Sequence, residues 1–494
     1  MPKFKVTFLR YNVKYHKIIS WIGGVALLIF ALSGMTHPLM SWTGPKATAF
    51  FPPQAQINAE DIQALPYILE KYNITSAHIV KIVPFADDKL LQVTQDHNAP
   101  RRYFDLGTRT ELEHFDAEYA KWLARYYTGL NDANIADISF QTEFNSDYPW
   151  VNRLLPVYKV QFAVEDQRTA YIYTELSALG SLSNNYKKDI QTIFRAFHTW
   201  SWLDNADDAR VWMMMIFLIS LTIMSITGIF MLFMMPKRKI KQAPRRWHRY
   251  LSYAIFIPLL FFSVSGIYHL LQMAYMPNFR GLKIGDQINL QTAELDRSGD
   301  WISLYKNNRF NALSLIEGPD QKLLYRLSLP KGKMGENISR QSRYNGVPFE
   351  KSALYIDAKT GKETSLSDRD MAIFYAKKHR DLQDHHIKDT KIITHFGPHY
   401  DFRNKRLPAW QINTALPEGD MIFIDPATGV LIDRLINNQR YETYSFSFLH
   451  KWNFLRPLIG PKNRDILIVL LLSFAVIATI LGYMMLLKRT KRNS

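Results

Sequence analysis

Six histidines stand near the ends of four long apolar runs, where imidazole side chains could bind a metal at the rim of a membrane. Two of the runs carry a histidine at each end, and the two histidines are 21 residues apart in both. A helix of that length rises about 31 Å, which matches a hydrocarbon core of about 30 Å. The six residues are His16, His37, His198, His248, His269 and His450.

Paired imidazoles at the ends of a helix bundle predict haem. Ionisable groups at membrane depth usually face the bundle interior and serve a function, and neutral imidazole is the usual nitrogen ligand of haem iron. The chain has no cysteine, which excludes thiolate-held zinc, iron–sulfur clusters and covalent haem attachment. We therefore predict two or three non-covalent b haems, each held by two of the six histidines.

The pairing of these ligands stays open. Symmetry favours His16 with His248, whereas the other four histidines allow several pairs. Two other interpretations also stay open. A rim histidine can simply tolerate the interface, as Trp and Tyr do. Zinc or iron held directly by histidines is disfavoured, because no nearby carboxylate completes a ligand set around His16 and His248.

The four apolar runs predict four transmembrane helices. Of 61 basic residues, 16 lie in three acid-free segments that flank these runs, and the rest nearly balance the 44 acidic residues. Because basic flanks stay in the cytoplasm, both termini are predicted to be cytoplasmic. A nucleic-acid partner is excluded, because no basic excess remains outside the membrane.

This topology divides the chain into nine segments. The cytoplasmic parts are 1–17, the basic loop 236–249 and the tail 488–494, and the membrane spans are 18–40, 211–235, 250–275 and 466–487. The segments 41–210 and 276–465 are extracytoplasmic.

The chain also repeats itself. A shift of 232 residues superposes His16 to His37 on His248 to His269, and a shift of 252 superposes "FHTWSWL" (197–203) on "LHKWNFL" (449–455). The predicted fold is therefore an integral membrane bundle of four helices with two extracytoplasmic α+β domains, built by tandem duplication. Within these domains "DAEYAKWLARYY" and "DRDMAIFYAKKH" indicate short helices, each with an Asp at its N-cap.

Several segments together resemble a known family. The order of "HKIISWIGG", "FHTWSWL", "RRWHRYLS" and "FLHKWNFL", with the D-x-x-T-G turns in "YIDAKTGKE" and "FIDPATGVL", is similar to the bacterial PepSY-associated transmembrane family. The chain departs from it in having "SG" where the family often has "TG" in the first helix. The resemblance implies PepSY-like domains, a multi-pass protein of the bacterial inner membrane and, as in several members, b-haem ferric-siderophore reduction in iron uptake.

These observations predict a transmembrane oxidoreductase, a ferric-chelate reductase that passes electrons across the membrane. No dinucleotide-binding fingerprint or P-loop is present, so a quinol or a cytoplasmic donor must supply the electrons. The acceptor is predicted to be a ferric siderophore or another ferric chelate. His395 and His399, in a histidine-rich stretch of the second outer segment, are candidate contacts for that iron.

Two functions of other classes remain as alternatives. A non-redox protein would use its membrane-anchored PepSY domains to bind or regulate a periplasmic protein. A small transporter would use the repeat for alternating access, although four helices without a broken midplane segment make a poor pathway.

Overall fold

The structure is a computed structural model, and it describes residues 3–49, 51–235, 240–276, 283–290, 295–305, 310–329 and 352–493. Part of the predicted basic loop, 236–239, lies outside these residues, as do residues 1–2 and 494. The chain divides into two compact units. The bundle unit comprises Met1–Gly44, Tyr186–Asn278 and Asn438–Ser494, and the sheet unit comprises Pro45–Asn185 and Phe279–Asn437.

Four helices of the bundle unit, α1, α5, α6 and α9, lie in spans that are long and apolar enough to cross a membrane. The predicted multi-pass membrane protein is thereby confirmed, and lipid contact follows from it. The described helices are α1 (Lys3–Thr43), α2 (Ala59–Lys71), α3 (Phe115–Thr128), α4 (Asn185–Phe194), α5 (Asp207–Met234), α6 (Ala243–Tyr275), α7 (Asp368–Arg380), α8 (Asn437–Ser445) and α9 (Arg456–Asn493).

The helices extend beyond the predicted spans. Helix α1 begins at Lys3 instead of residue 18, and α6 begins at Ala243 instead of residue 250. Lysine and arginine are good helix formers, so the basic flanks continue the helix past the apolar run. His16 and His248 therefore lie within α1 and α6, and not before them.

The four long helices pack in the order α1, α5, α6 and α9, and α9 closes the ring against α1. Their interior contains Leu27, Leu221, Ile255 and Ala475. The opposite face of α5 is an exposed apolar stripe at helical spacing, as expected for contact with lipid. The stripe consists of Trp212, Ile216, Ile219, Ile223, Ile226, Phe230 and Phe233.

Two ends of this bundle are distinguished below. The basic end holds the start of α1, the end of α9 and the connection from α5 to α6. The segment end holds the end of α1 and the end of α6, where the chain leaves for the two long segments.

The sheet unit contains one seven-stranded antiparallel sheet, two four-stranded sheets and a two-stranded pair among the described residues. Their orders are β13-β12-β11-β2-β3-β4-β5, β6-β7-β8-β9, β14-β15-β16-β17 and β1-β10. The strands are β1 (Ser76–Ala77), β2 (Ile79–Phe85), β3 (Asp88–Thr94), β4 (Arg102–Asp105), β5 (Thr110–Leu112), β6 (Ile135–Gln141), β7 (Val157–Phe162), β8 (Thr169–Tyr173), β9 (Ala178–Ser183), β10 (Ile288–Asn289), β11 (Ala312–Glu317), β12 (Leu323–Ser328), β13 (Ala353–Asp357), β14 (Ile387–Ile393), β15 (Ala409–Thr414), β16 (Met421–Asp425) and β17 (Val430–Leu435).

The seven-stranded sheet joins both long segments, which differs from the prediction of two separate domains. Strand β2 of the first segment pairs with β11 of the second, with Lys81 opposite Ser314. The edge strand of each segment thus finds a partner in the other, which removes two exposed edges. The α+β composition itself is as predicted.

The predicted N-caps of α3 and α7 are wrong. The cap residues are His114 and Ser367, and the aspartates lie in the first turn. Asp116 is buried and accepts hydrogen bonds from the Arg101 amide and the Tyr103 hydroxyl. These aspartates serve buried side-chain networks, which a cap pattern does not reveal.

Candidate functional site

The six histidines fall into two groups within the bundle unit. His16 and His248 are electrostatic neighbours near the basic end. The other four lie near the segment end, where the rings of His198 and His450 have centroids 6.4 Å apart. Their electrostatic neighbours include His37 and His269.

His16 is held by helix α5. Its Nδ1 lies 2.9 Å from the hydroxyl of Thr227, and that hydroxyl donates its own proton to the carbonyl of Ile223 at 2.8 Å. Because a hydroxyl has only one proton, it must accept from the imidazole, so His16 carries its proton on Nδ1. Asn12, one turn earlier, donates to the carbonyl of Thr227 at 2.8 Å.

His248 is held in the same tautomer by helix α9. Its Nδ1 lies 2.7 Å from the carbonyl oxygen of Ala478, which can only accept. A glycine faces each of these two imidazoles: a Cβ on Gly228 would lie 3.5 Å from Cε1 of His16, and one on Gly482 equally far from Cε1 of His248. Any side chain longer than alanine would press on the rings.

His198 and His450 repeat this arrangement at the segment end. Nδ1 of His198 lies 3.0 Å from the hydroxyl of Ser33, which donates to the carbonyl of Ile29 at 2.6 Å. Nδ1 of His450 lies 3.2 Å from the hydroxyl of Ser265, which also donates to a carbonyl of its own helix. Both serines therefore accept from Nδ1–H.

His269 has a carboxylate as its partner. Its Nδ1 lies 2.5 Å from Oε1 of Glu442, and its ring stacks on Phe446 with a centroid distance of 4.0 Å. His37 differs, because no hydrogen bond reaches its ring from the described residues. It is exposed at the rim, with Phe194 6.0 Å away.

Five of the six imidazoles thus have Nδ1 engaged, and no described residue bonds their Nε2. A neutral imidazole with its proton on Nδ1 has its lone pair on Nε2. This is the arrangement of metal-binding histidines, whose other nitrogen usually donates to a protein acceptor.

The histidines of the segment end are presented by an unusual backbone. Helix α4 runs into a π-helical turn, Arg195–Thr199, and α8 into a second, Phe446–His450. A tryptophan in left-handed conformation lies after each, with φ of +53° at Trp200 and +52° at Trp452. π-Turns occur frequently at functional sites.

Each of these tryptophans closes its turn. The indole of Trp200 donates to the carbonyl of Phe197 at 3.0 Å, and that of Trp452 to the carbonyl of Leu449 at 2.9 Å. Both indoles are buried and stack on a phenylalanine, Phe30 or Phe262, of a neighbouring long helix. They are parts of the bundle interior.

The donor set fits haem b. It consists of neutral imidazoles with free Nε2, and the 6.4 Å between the rings of His198 and His450 is compatible with two imidazoles at about 2.0 Å from one metal. Within the described residues, no group of three or more metal-ligating side chains could hold a bare ion. Direct zinc or iron binding therefore gains no support.

The candidate iron contacts lie in the sheet unit. His395 is exposed, with Nδ1 3.4 Å from the Thr394 hydroxyl, and His399 is half-buried. No further metal-ligating residue of the described chain completes a set with them.

The sheet unit also contains a buried ionic layer. Glu175 lies 3.2 Å from Arg101 and 3.5 Å from Arg406. Burial raises the pKa of the Glu175 carboxyl, but His97 and the two guanidinium groups outweigh burial and hold this pKa well below its usual range. Lys81 lies nearby with 4% of its surface exposed and no hydrogen bond from the described residues.

Sequence reasoning found the histidines but missed their partners. Ser33 and Ser265 recur at the 232-residue spacing, which could have signalled a shared role. Thr227, Glu442 and the Ala478 carbonyl carry no such signal, because only the packing of helices brings them to the imidazoles.

The four apolar helices and the antiparallel sheets define a multi-pass membrane protein with an α+β part. Residues 82–301 match the family model of the PepSY-associated TM region. This confirms the resemblance seen in the sequence, and the matched range includes His198, His248 and His269. None of the curated proteins matches the chain.

Proposed function

We propose that the chain is a b-haem protein of the bacterial inner membrane that reduces ferric chelates, such as ferric siderophores, outside the cytoplasm. The observation that carries the proposal is the shared tautomer: five histidines at two levels of one bundle expose Nε2 and donate from Nδ1. An interfacial histidine has no need of such a partner. The recurrence of these contacts at constant spacing supports an origin by internal duplication.

The histidines hold the cofactor in two groups. His16 and His248 would hold one haem near the basic end, and the four histidines of the segment end one or two more. Haem, when bound, supplies reversible one-electron chemistry. Thr227, Ser33 and Ser265 fix the imidazole tautomers, and the surrounding apolar helices exclude water.

The electron balance requires an external donor. Each ferric ion takes up one electron, so a quinol, which gives two electrons and two protons, reduces two ferric chelates. Reduction to the ferrous ion weakens its binding to oxygen ligands and releases the metal. The basic flanks place the basic end in the cytoplasm, so the segment end and the sheet unit face the acceptor.

The test is reoxidation of the pre-reduced protein by ferric chelates in a stopped-flow instrument. We expect ferric chelates to restore the oxidised haem spectrum and the ferrous ion to appear in equal amount. H450A should lose this reaction, whereas H385A, which changes an exposed histidine of the sheet unit, should keep it. A haem protein whose reduced form is stable towards every ferric chelate would contradict the proposed acceptor.

A further inference from the structure

Corresponding histidines of the two halves have different surroundings at the segment end. His37 and His269 stand at the same place in the repeat, 232 residues apart. Only His269 has a carboxylate on its ring, that of Glu442, whose side chain is 12% exposed against 32% for His269. The contact is therefore partly shielded from water.

The sequence shows that the carboxylate belongs to one half alone. The spacing of 252 residues that relates Phe194 to Phe446 and His198 to His450 places Ile190 opposite Glu442. Ile190 lies in α4 and Glu442 in α8, the two short helices that lead into the π-turns. A carboxylate has thus been gained in one half or lost in the other.

A carboxylate that accepts the Nδ1–H of a ligand histidine raises the basicity of its Nε2. Such a ligand stabilises the ferric form of the iron more than the ferrous form. The negative charge acts in the same direction, and more strongly in a partly buried site than in water. Both effects lower the reduction potential.

On the basis of the proposed function, we propose that Glu442 is a positioning residue that makes the haem held by His269 a stronger reductant. Oxygen ligands stabilise ferric over ferrous iron, so a ferric chelate of this kind demands a low-potential donor. The Glu442–His269 pair supplies that property at the segment end.

The test is an optical redox titration of the full-length protein in detergent, together with its haem content. E442Q keeps the shape but loses the charge, and should shift the ferric/ferrous equilibrium of one haem at least tenfold towards ferrous, which is about 59 mV for one electron. E442D should stay close to wild type. D208N removes an exposed carboxylate at the same end of the bundle and should change nothing.

The outcomes separate the two proposals. Absence of haem in the wild type would refute the proposed function. Haem with unchanged potentials in E442Q would refute only the role of Glu442. If E442Q loses one haem and E442D keeps it, the carboxylate positions the ligand as inferred; if both lose it, Glu442 is needed for packing and the inference fails.

Discussion

The hydroxyl of Ser33 lies 3.0 Å from Nδ1 of His198 and gives its own proton to the carbonyl of Ile29. The serine is therefore an obligatory acceptor, and the imidazole must present a bare Nε2. One small side chain of α1 thus decides the protonation of a ring that belongs to another part of the chain.

S33A and S265A should weaken haem binding at the segment end. Loss of such an outer hydrogen bond to a ligand histidine typically costs about 10- to 100-fold in metal affinity. Haem titration of the apoprotein measures this. S263A removes a buried hydroxyl that bonds only its own helix, and it should bind haem as the wild type does; equal losses in all three variants would contradict the assigned role.

T227V should affect the basic end alone. The valine keeps the shape of the threonine but leaves Nδ1–H of His16 without an acceptor, which costs about 1–3 kcal/mol when the group is buried. We expect loss of the haem whose content also falls in H16A. T222V, whose hydroxyl bonds only its own helix, is the matched control, and normal haem content in T227V would remove Thr227 from the site.

W200F and W452F should loosen the π-turns. Each keeps an aromatic ring but loses the indole N–H that holds a turn carbonyl, a net loss of about 0.5–1.5 kcal/mol. We expect a lower melting temperature and altered haem bands. W212F changes an indole that is 64% exposed on the lipid-facing stripe; if it has the same effect, the turns do not depend on the buried indoles.

K81M should stabilise the sheet unit at neutral pH. Burial lowers the pKa of the Lys81 ammonium to about 8, although the Glu175 carboxylate acts in the opposite direction. Since one pKa unit is worth about 1.4 kcal/mol, the charged lysine costs up to about 3 kcal/mol at pH 7.

The sign of the pH dependence follows from the lowered pKa. Between pH 8 and the ordinary lysine pKa of about 10.4 the unfolded chain binds the proton that the folded chain has lost, so wild-type stability rises with pH. The advantage of K81M in thermal unfolding should therefore be largest below pH 8 and vanish above about pH 10.5. K159M, at a half-exposed lysine of β7, should show no such trend. A gain of K81M that is equal at all pH values would contradict the burial argument.

The sequence predicted the elements whose pattern is local. Apolar length and basic flanks marked the membrane helices, and the recurrence of six histidines marked their ends. The pairing of β2 with β11 could not be predicted, because antiparallel pairing across more than 200 residues leaves no local pattern. The partners of the imidazoles escaped for the same reason, since Thr227 and Glu442 are ordinary residues until helix packing brings them to His16 and His269.

The most direct test of the account is the absorbance spectrum and haem stoichiometry of the purified chain, produced with ample haem. The account predicts a Soret band that sharpens on reduction, two or three non-covalent b haems per chain, and loss of one haem in H16A and in H248A while the others remain. A colourless protein, or one in which both variants keep the full haem content, would contradict it.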